Sequence, residues 1–422
     1  MTTTDIPAGI PALRRTTTAL LEAGRRSEAF ALWSGADFSD DDLGWLSERA
    51  GDLMRSTDLT LAGEFAHLLA SIRRGSRWFP ARGADGAARP IERFITIHKL
   101  RHDIEQFTYL LESGDLGDEF RAVVQAYTDT ADRLLAAGVD PDQHVPFDEQ
   151  AEAAIGDVFN RIVTLQPAPR LPRALSDSWN GQEVTERYLA SRAGLVVVDN
   201  FLSPAALDAV RRFCAGSTVW FGNRYANGRL GAFFHDGFNC PLLLQVAEEL
   251  RGTLPDVLGP YPLRQLWGFK NKDYLPGDTT THADFAAVNV NFWITPTEAN
   301  LDESSGGLIV YGVDAPPDWN FHMYNGRQDL IKPFLARRKA EAVTIPYRAN
   351  RAIIFNSDLF HATAEVRFRP GYENRRVNIT MLYGERADDV HHPGLSRQAT
   401  PNQIPYRPAW RSNALTRRRA GR

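Results

Sequence analysis

The sequence has 422 residues, 43% of them hydrophobic and 24% charged, with a formal net charge of −4 at pH 7. That length is enough for about two domains, and the balance excludes collagenous, coiled-coil and disordered chains as well as a dedicated polyanion partner. Two cysteines, Cys214 and Cys240, are too few for a disulfide framework. The N-terminus lacks the apolar core of a secretory signal, and no apolar run approaches the roughly 20 residues that span a bilayer. The expectation is a cytoplasmic protein with no membrane contact and no specific nucleic-acid partner.

Taken in chain order, residues 1–180 read as helical. TTTALLEAGRRSEAFALWSG, DDLGWLSERAGDLMRSTD, LAGEFAHLLASIRRG, IERFITIHKLRHDIEQFTYLLESG and EFRAVVQAYTDTADRLLAAGV space their apolar residues three and four apart, with Gly or Asp at the breaks. QAEAAIGDVFNRIVTL extends the pattern, and RGADGAARP interrupts it as a loop. The pairing suggests a helical-repeat-like interaction module, for a protein partner or for dimerisation, although no fixed period repeats. The proline-bearing stretch QPAPRLPRALSDSWNGQ marks the boundary.

Residues 181–395 change to short β-rich runs: GLVVVDNF, AVNVNFWIT, GGLIVYGV, EAVTIPY, RAIIFNS and RRVNITMLYG, bounded by Gly, Pro, Asn and Asp. One helix is marked among them, with Ser203 as N-cap and Pro204 at the first helical position, where its missing N–H costs nothing. The fold class is therefore α+β, a helical domain followed by a β barrel or sandwich with flanking helices. Residues 396–422 form a basic tail carrying Arg407, Arg411, Arg417, Arg418, Arg419 and Arg422 with no acidic residue, which reads as solvated chain.

Chemistry concentrates in YLPGDTTTHADF. In extended backbone residues i and i+2 project to the same side, so His282 and Asp284 can reach one ion together. The third ligand must then come from a distant strand, and His361 ends RAIIFNSDLFH. Two imidazoles and one carboxylate on one face of a metal leave open positions, the arrangement of non-haem Fe(II) oxygenases. On the strand that follows, Asn289 and Asn291 alternate with Val288, Val290 and Phe292. That pattern predicts either a polar, ligand-lined face, with Asn291 available to a co-substrate carboxylate and Trp293 as a wall, or a partly exposed one.

From about residue 195 to 385 the chain resembles the double-stranded β-helix (jelly-roll, cupin-like) oxygenases dependent on iron and 2-oxoglutarate, the superfamily of prolyl hydroxylases and phytanoyl-CoA hydroxylase. LVVVDNFLSPAALDAVRRFC is similar to the opening strand and helix of the prolyl-hydroxylase branch. THADF resembles the H-x-D element and NVNFWIT…ESSGGLIVYG the strand pair and turn that follow it. FNSDLFHATAEV resembles the distal-histidine element, and RRVNITMLYG the closing strand that begins with the co-substrate's basic residue. The resemblance covers a little under half of the chain and nothing in its helical half.

It implies Fe(II) on His282, Asp284 and His361, with 2-oxoglutarate and O2 as co-substrates. It also implies Arg376 as the cation for the distal carboxylate, with Arg375 as the alternative, because RFRPGYEN lengthens the usual interval from the distal histidine. Tyr274 stands where the family often has a tyrosine near the co-substrate. The implied activity is hydroxylation of a C–H bond in an amino-acid-like, peptidyl or metabolite substrate, since halogenases of the superfamily replace the carboxylate ligand that Asp284 keeps. The alternatives are a non-catalytic scaffold with an oxygenase-like barrel and a cupin-type metal enzyme without 2-oxoglutarate.

The remaining histidines carry plainer expectations. His98 and His102 lie four apart on a charged helix with no intervening H-E-x-x-H glutamate and are expected to be solvated. His391 and His392 are expected at the surface. Glycine-rich and aromatic segments near 222–240 and 314–330 are expected to cover the substrate entrance.

Overall fold

The computed structural model describes residues 9–76, 78, 94–191, 193–278 and 280–386. The loop RGADGAARP, the two histidines at 391 and 392 and the basic tail lie outside the described residues.

Helices α1 (Ile10–Glu22), α2 (Arg26–Ser34), α3 (Asp40–Arg55) and α4 (Leu59–Arg74) open the chain. Their starts follow the local chemistry. Ser39 and Asp42 form a reciprocal capping box on α3, and Asp58 caps α4 by accepting from the Leu61 N–H. A two-strand ribbon of β1 (Phe94–Ile95) and β2 (Val145–Pro146) brackets α5 (Ile97–Glu112) and α6 (Phe120–Ala136). Helix α7 covers only Glu149–Ile155, ending before Gly156 where a longer helix was expected. Next come α8 (Gly181–Ala190), β3 (Leu195–Val198) and α9 (Pro204–Gly216), which Ser203 caps as its sequence predicts.

The β region continues with β4 (Leu230–Phe233), α10 (Pro241–Thr253), β5 (Leu263–Lys270), β6 (Tyr274–Leu275), β7 (Val288–Trp293) and β8 (Leu308–Asp314). Helices α11 (Phe321–Gly326) and α12 (Gln328–Arg338) then precede β9 (Ala342–Ile345), β10 (Ala352–Asn356), β11 (Leu359–Thr363), β12 (Val366–Arg367) and β13 (Val377–Tyr383). A six-stranded antiparallel sheet in the order β3-β10-β7-β13-β5-β4 faces a three-stranded sheet in the order β11-β8-β9, with β12 and β6 paired beside them. This is a jelly-roll-like sandwich, which hides its strand faces by packing two sheets together.

Strand parity decides which side chains see which side. Val290, Phe292, Ile354, Ile379 and Met381 lie on the outer face of the large sheet, in one apolar cluster with Leu13, Leu46, Phe65 and Leu244 from the helices. Trp293, Ile353 and Phe355 point the other way, against Leu308, Val310 and Leu359 of the small sheet. The apolar stripes of α1–α4 therefore share one core with the large sheet, α3 meeting β5 and α4 meeting α10, and that core runs through the boundary near residue 180. A second core, built from α5, α6 and α7, includes Leu100, Phe107, Tyr127 and Ile155.

Helix α5 joins the two halves by a polar seam. Lys99 pairs with Asp103 at 2.5 Å, and Gln106 donates to the carbonyls of Ala215 and Ser217. Lys270, on the outer face of β5, donates to the Tyr372 hydroxyl (2.8 Å) and the Cys214 carbonyl (3.2 Å). This seam corrects the expectation of solvated histidines. His102 is fully buried, beside Asp103 and edge-on to Tyr372, and burial holds it neutral; His98 is largely enclosed, near Asp142. The charged look of α5 is that of a face satisfied by partners, not by water.

Candidate metal centre

His282 and His361 face one another as an isolated antiparallel bridge, exchanging backbone hydrogen bonds of 2.9 and 2.8 Å. Their ring centroids are 4.4 Å apart. Asp284 brings one carboxylate oxygen to 3.5 Å from His361 Nε2 and the other to 3.9 Å from His282 Nε2. One ligand atom from each residue lies within 4.8 Å of the others, the only group of this kind among the described residues.

The ring orientations are fixed by the backbone. Nδ1 of His282 lies 2.7 Å from the Thr280 carbonyl and Nδ1 of His361 lies 3.0 Å from the Leu359 carbonyl. A carbonyl only accepts, so each Nδ1 carries the proton and donates it, leaving both Nε2 lone pairs for a metal. Burial, with His361 close beside it, pushes His282 down to about 4, so its ring is neutral at physiological pH. Burial alone would raise Asp284, but the histidines and Asn289 hold its carboxyl below the usual range.

An amide relay approaches from the large sheet. Asn289 Nδ2 donates to Asp284 at 2.6 Å, and Asn291 Nδ2 donates to Asn289 at 2.7 Å. Asn291 Oδ1 in turn accepts from Asn378 (2.9 Å) and Thr380 (2.6 Å). The ladder explains the alignment: Asn291 stands opposite Thr380, and Trp293 opposite Asn378, so these side chains share the inner face. The Asn289–Asn291 face is thus buried and polar. Asn291 is occupied in positioning Asp284, with both bonds to its oxygen made inside the relay.

The same parity separates the two arginines. Val377 stands opposite Lys270 on the outer face, which sends Arg376 inward and Arg375 outward. Arg375 forms a two-pronged pair with Glu105 of α5 at 2.7 and 3.0 Å. Arg376 is only 2% exposed and has no carboxylate partner among the described residues; Nε and Nη2 donate to the Gly306 and Gly307 carbonyls at 2.6 and 3.2 Å, below Trp293 and Tyr347. Burial pushes its guanidinium down to about 10, still charged at neutral pH. The Gly306-Gly307 turn is required for this contact: Gly306 has φ +77°, and a Cβ on Gly307 would overlap the Ile345 carbonyl and the Trp293 ring. Trp293 Nε1 is buried without an acceptor among the described residues.

Tyr274 does not line this centre. On β6 it alternates with Leu275, which enters the sandwich core, so the tyrosine is turned outward and is 46% exposed. Segment 222–231 forms a hairpin through the Gly222–Gly231 bridge and leads into β4. Helices α11 and α12 clasp the H-x-D loop. The Ala283 N–H donates to the Tyr324 carbonyl (3.0 Å), Asn325 donates to the Ala283 carbonyl (3.0 Å) and Gln328 to the Thr281 carbonyl (2.6 Å). His322 is exposed on α11 and His235 is buried beside Asp236 against α4, so neither joins the triad.

Sequence reasoning missed Arg229. It sits just before β4 and is two residues from Gly231, which faces Phe269 in the ladder, so it points to the inner face. Its guanidinium lies 3.8 Å from the Phe269 ring centroid. No sequence signal announces it, because its meaning depends on β4 pairing with β5.

No protein-family profile and no curated protein sequence matches the chain. Among solved structures it is similar to the non-haem α-ketoglutarate-dependent epimerase SnoN from nogalamycin biosynthesis, with TM-score 0.36 and 16% identity over 49% of this chain and 83% of that one. It is also similar to the α-ketoglutarate-dependent carbocyclase SnoK from the same biosynthesis, with TM-score 0.36 and 15% identity over 54% and 94% of the two chains. A prolyl-4-hydroxylase of Pseudomonas putida is a further similar structure, with TM-score 0.32 and 14% identity over 49% and 99%. Each of these three structures matches about half of this chain.

Proposed function

We propose that the chain is an Fe(II)- and 2-oxoglutarate-dependent oxygenase that hydroxylates a C–H bond of a small amino-acid-like, peptidyl or metabolite substrate. One observation carries the reading: the His282–Asp284–His361 triad, with His282 neutral and Asp284 ionised, shares the inner face of the sandwich with a buried arginine, Arg376, that has no carboxylate partner among the described residues. The donor set of two imidazole nitrogens and one carboxylate suits Fe(II) and leaves positions open for a chelating co-substrate and oxygen. The orphaned Trp293 N–H beside Arg376 fits a missing acceptor, as the distal carboxylate of 2-oxoglutarate would be.

Bound there, Fe(II) with 2-oxoglutarate supplies oxygen activation, coupling decarboxylation of the co-substrate to hydroxylation of the substrate. The chain's own residues do the rest. His282 and His361 present Nε2 because their Nδ1 protons are committed to backbone carbonyls. Asp284 is held by Asn289, and the relay behind it fixes that carboxylate without solvent. Arg376 offers the guanidinium edge left over from the Gly306 and Gly307 carbonyls, giving a carboxylate both charge and direction. None of the three ligands acts as an acid or base.

The test is anaerobic titration of the Fe(II)-reconstituted protein with 2-oxoglutarate, following the weak visible metal-to-ligand charge-transfer band. The band should appear in the wild type, vanish in His361→Ala and require more 2-oxoglutarate in Arg376→Ala. A folded, iron-loaded wild type that gives no band and binds no 2-oxoglutarate refutes the proposal.

A further inference from the structure

Arg229 is a second cation on the inner face that nothing in the centre balances. Its guanidinium is stacked over Phe269, with Tyr225 at 5.7 Å. It makes no hydrogen bond and no ion pair among the described residues, and Nε is sealed from water while the Nη edge is not. Arginines that serve only as struts are normally tied down by carbonyls or carboxylates, as Arg351 is by Asp199 and Pro346. Phe269, under the guanidinium, stands opposite Asn378 in the ladder, and Asn378 donates to Asn291, which places Arg229 one strand from the relay behind Asp284.

Charge balance says what it is for, granted the function proposed above. A divalent metal, Asp284, the 2-oxoglutarate dianion and Arg376 together are neutral. Arg229 leaves one positive charge over, half-buried against Phe269 and Tyr225, and a partly desolvated charge gains from a partner. The anion that completes the site is the one the centre still lacks, the substrate's.

We propose that Arg229 binds an oxyanionic group of the substrate, a carboxylate or a phosphate, so that the substrate is a small organic acid and not a neutral molecule. The aromatic clamp fixes the guanidinium plane and the free Nη edge gives two parallel donors to such a group. Arg224, exposed on the same hairpin and donating to the Tyr225 hydroxyl at 3.1 Å, adds positive potential on the approach.

The test uses the full chain, anaerobic and loaded with Fe(II) and 2-oxoglutarate, so that Arg376 is occupied. Benzoate, N-acetylglycine and phenyl phosphate are titrated calorimetrically beside benzamide, N-acetylglycinamide and phenol. In the wild type at least one acid should bind about tenfold or more tighter than its neutral counterpart, the scale of a charge-assisted hydrogen bond. That preference should disappear in Arg229→Gln and survive in part in Arg229→Lys, while 2-oxoglutarate affinity changes little in either. Which acids show the preference separates a carboxylate from a phosphate. Two results overturn the proposal: acids and neutral counterparts binding the wild type alike, or Arg229→Gln weakening 2-oxoglutarate itself, which makes Arg229 a co-substrate residue. Absence of the charge-transfer band sinks the oxygenase reading instead, and the acid preference is then scored on the metal-loaded protein alone. Thermal melts of both variants check that they fold.

Discussion

Replacing Arg376 by Met separates a ligand-binding cation from a structural one. Burial pushes this guanidinium from 12.5 down to about 10. At about 1.4 kcal/mol per pKa unit, that fall corresponds to a charge-burial cost of roughly 3 kcal/mol at neutral pH. Against it stand the bonds to the Gly306 and Gly307 carbonyls, whose loss costs about 1 kcal/mol each. The metal-free Arg376→Met protein should therefore be within about 1 kcal/mol of wild type, or more stable.

Its affinity for 2-oxoglutarate should collapse. A two-pronged guanidinium–carboxylate contact at roughly 1.5–3 kcal/mol per bond corresponds to about a hundredfold or greater loss. Urea unfolding of the metal-free protein and anaerobic titration of the Fe(II) form measure the two quantities. A variant that loses more than about 2 kcal/mol of stability but keeps its 2-oxoglutarate affinity would make Arg376 a strut for the glycine turn and refute its role as a ligand-binding cation.

Removing the relay's last donor, Asn289→Ala, should weaken Mn(II) or Fe(II) affinity by about tenfold to a hundredfold with the fold intact; unchanged affinity would mean that Asp284 needs no such support. Arg375→Ala should cost at most about 1 kcal/mol, because Glu105 is 40% exposed and screened, and should leave 2-oxoglutarate binding alone. Weakened co-substrate binding in that variant would contradict the division of labour between the two arginines. Acid should destabilise the fold before the carboxylates titrate. Burial pushes His235 from 6.5 down to about 4, so the unfolded chain takes up a proton that the folded chain refuses. Its contribution is complete above pH 6.5 and drains as pH falls towards 4, reaching about 2 kcal/mol by pH 5 at 1.36 kcal/mol per pH unit. Urea midpoints at pH 7.5 and 5.0 measure this, and His235→Asn should show a smaller drop; identical drops in the two proteins would refute it.

The centre was legible because its chemistry is local. His282 and Asp284 are two residues apart on extended backbone, and the strand before His361 is apolar enough to be read by composition alone. Ser203 and Pro204 likewise announced α9, since a cap depends on a few neighbours. Asn289 and Asn291 were visible as amides in an apolar strand, but whether their face was dry or wet depended on which strands flank β7. Tyr274 and Arg375 went elsewhere for a related reason. A side chain's direction follows from strand parity, and parity is set by where each strand begins to pair, which no local pattern specifies. His102 looked solvated because α5 is charged, yet Tyr372, which covers its ring, comes from a distant segment.

By itself, then, the sequence determined the candidate ligand types, their order and the change from helical to β periodicity near residue 180, because those rest on short-range geometry. Tertiary structure alone decided that α1–α4 share a core with the large sheet, that Arg376 and not Arg375 turns inward, and that Arg229 lies over Phe269 on the same inner face with no ion-pair partner among the described residues. Each of these depends on strands and helices far apart in the chain meeting in one register, and only the burial of their apolar faces selects that register.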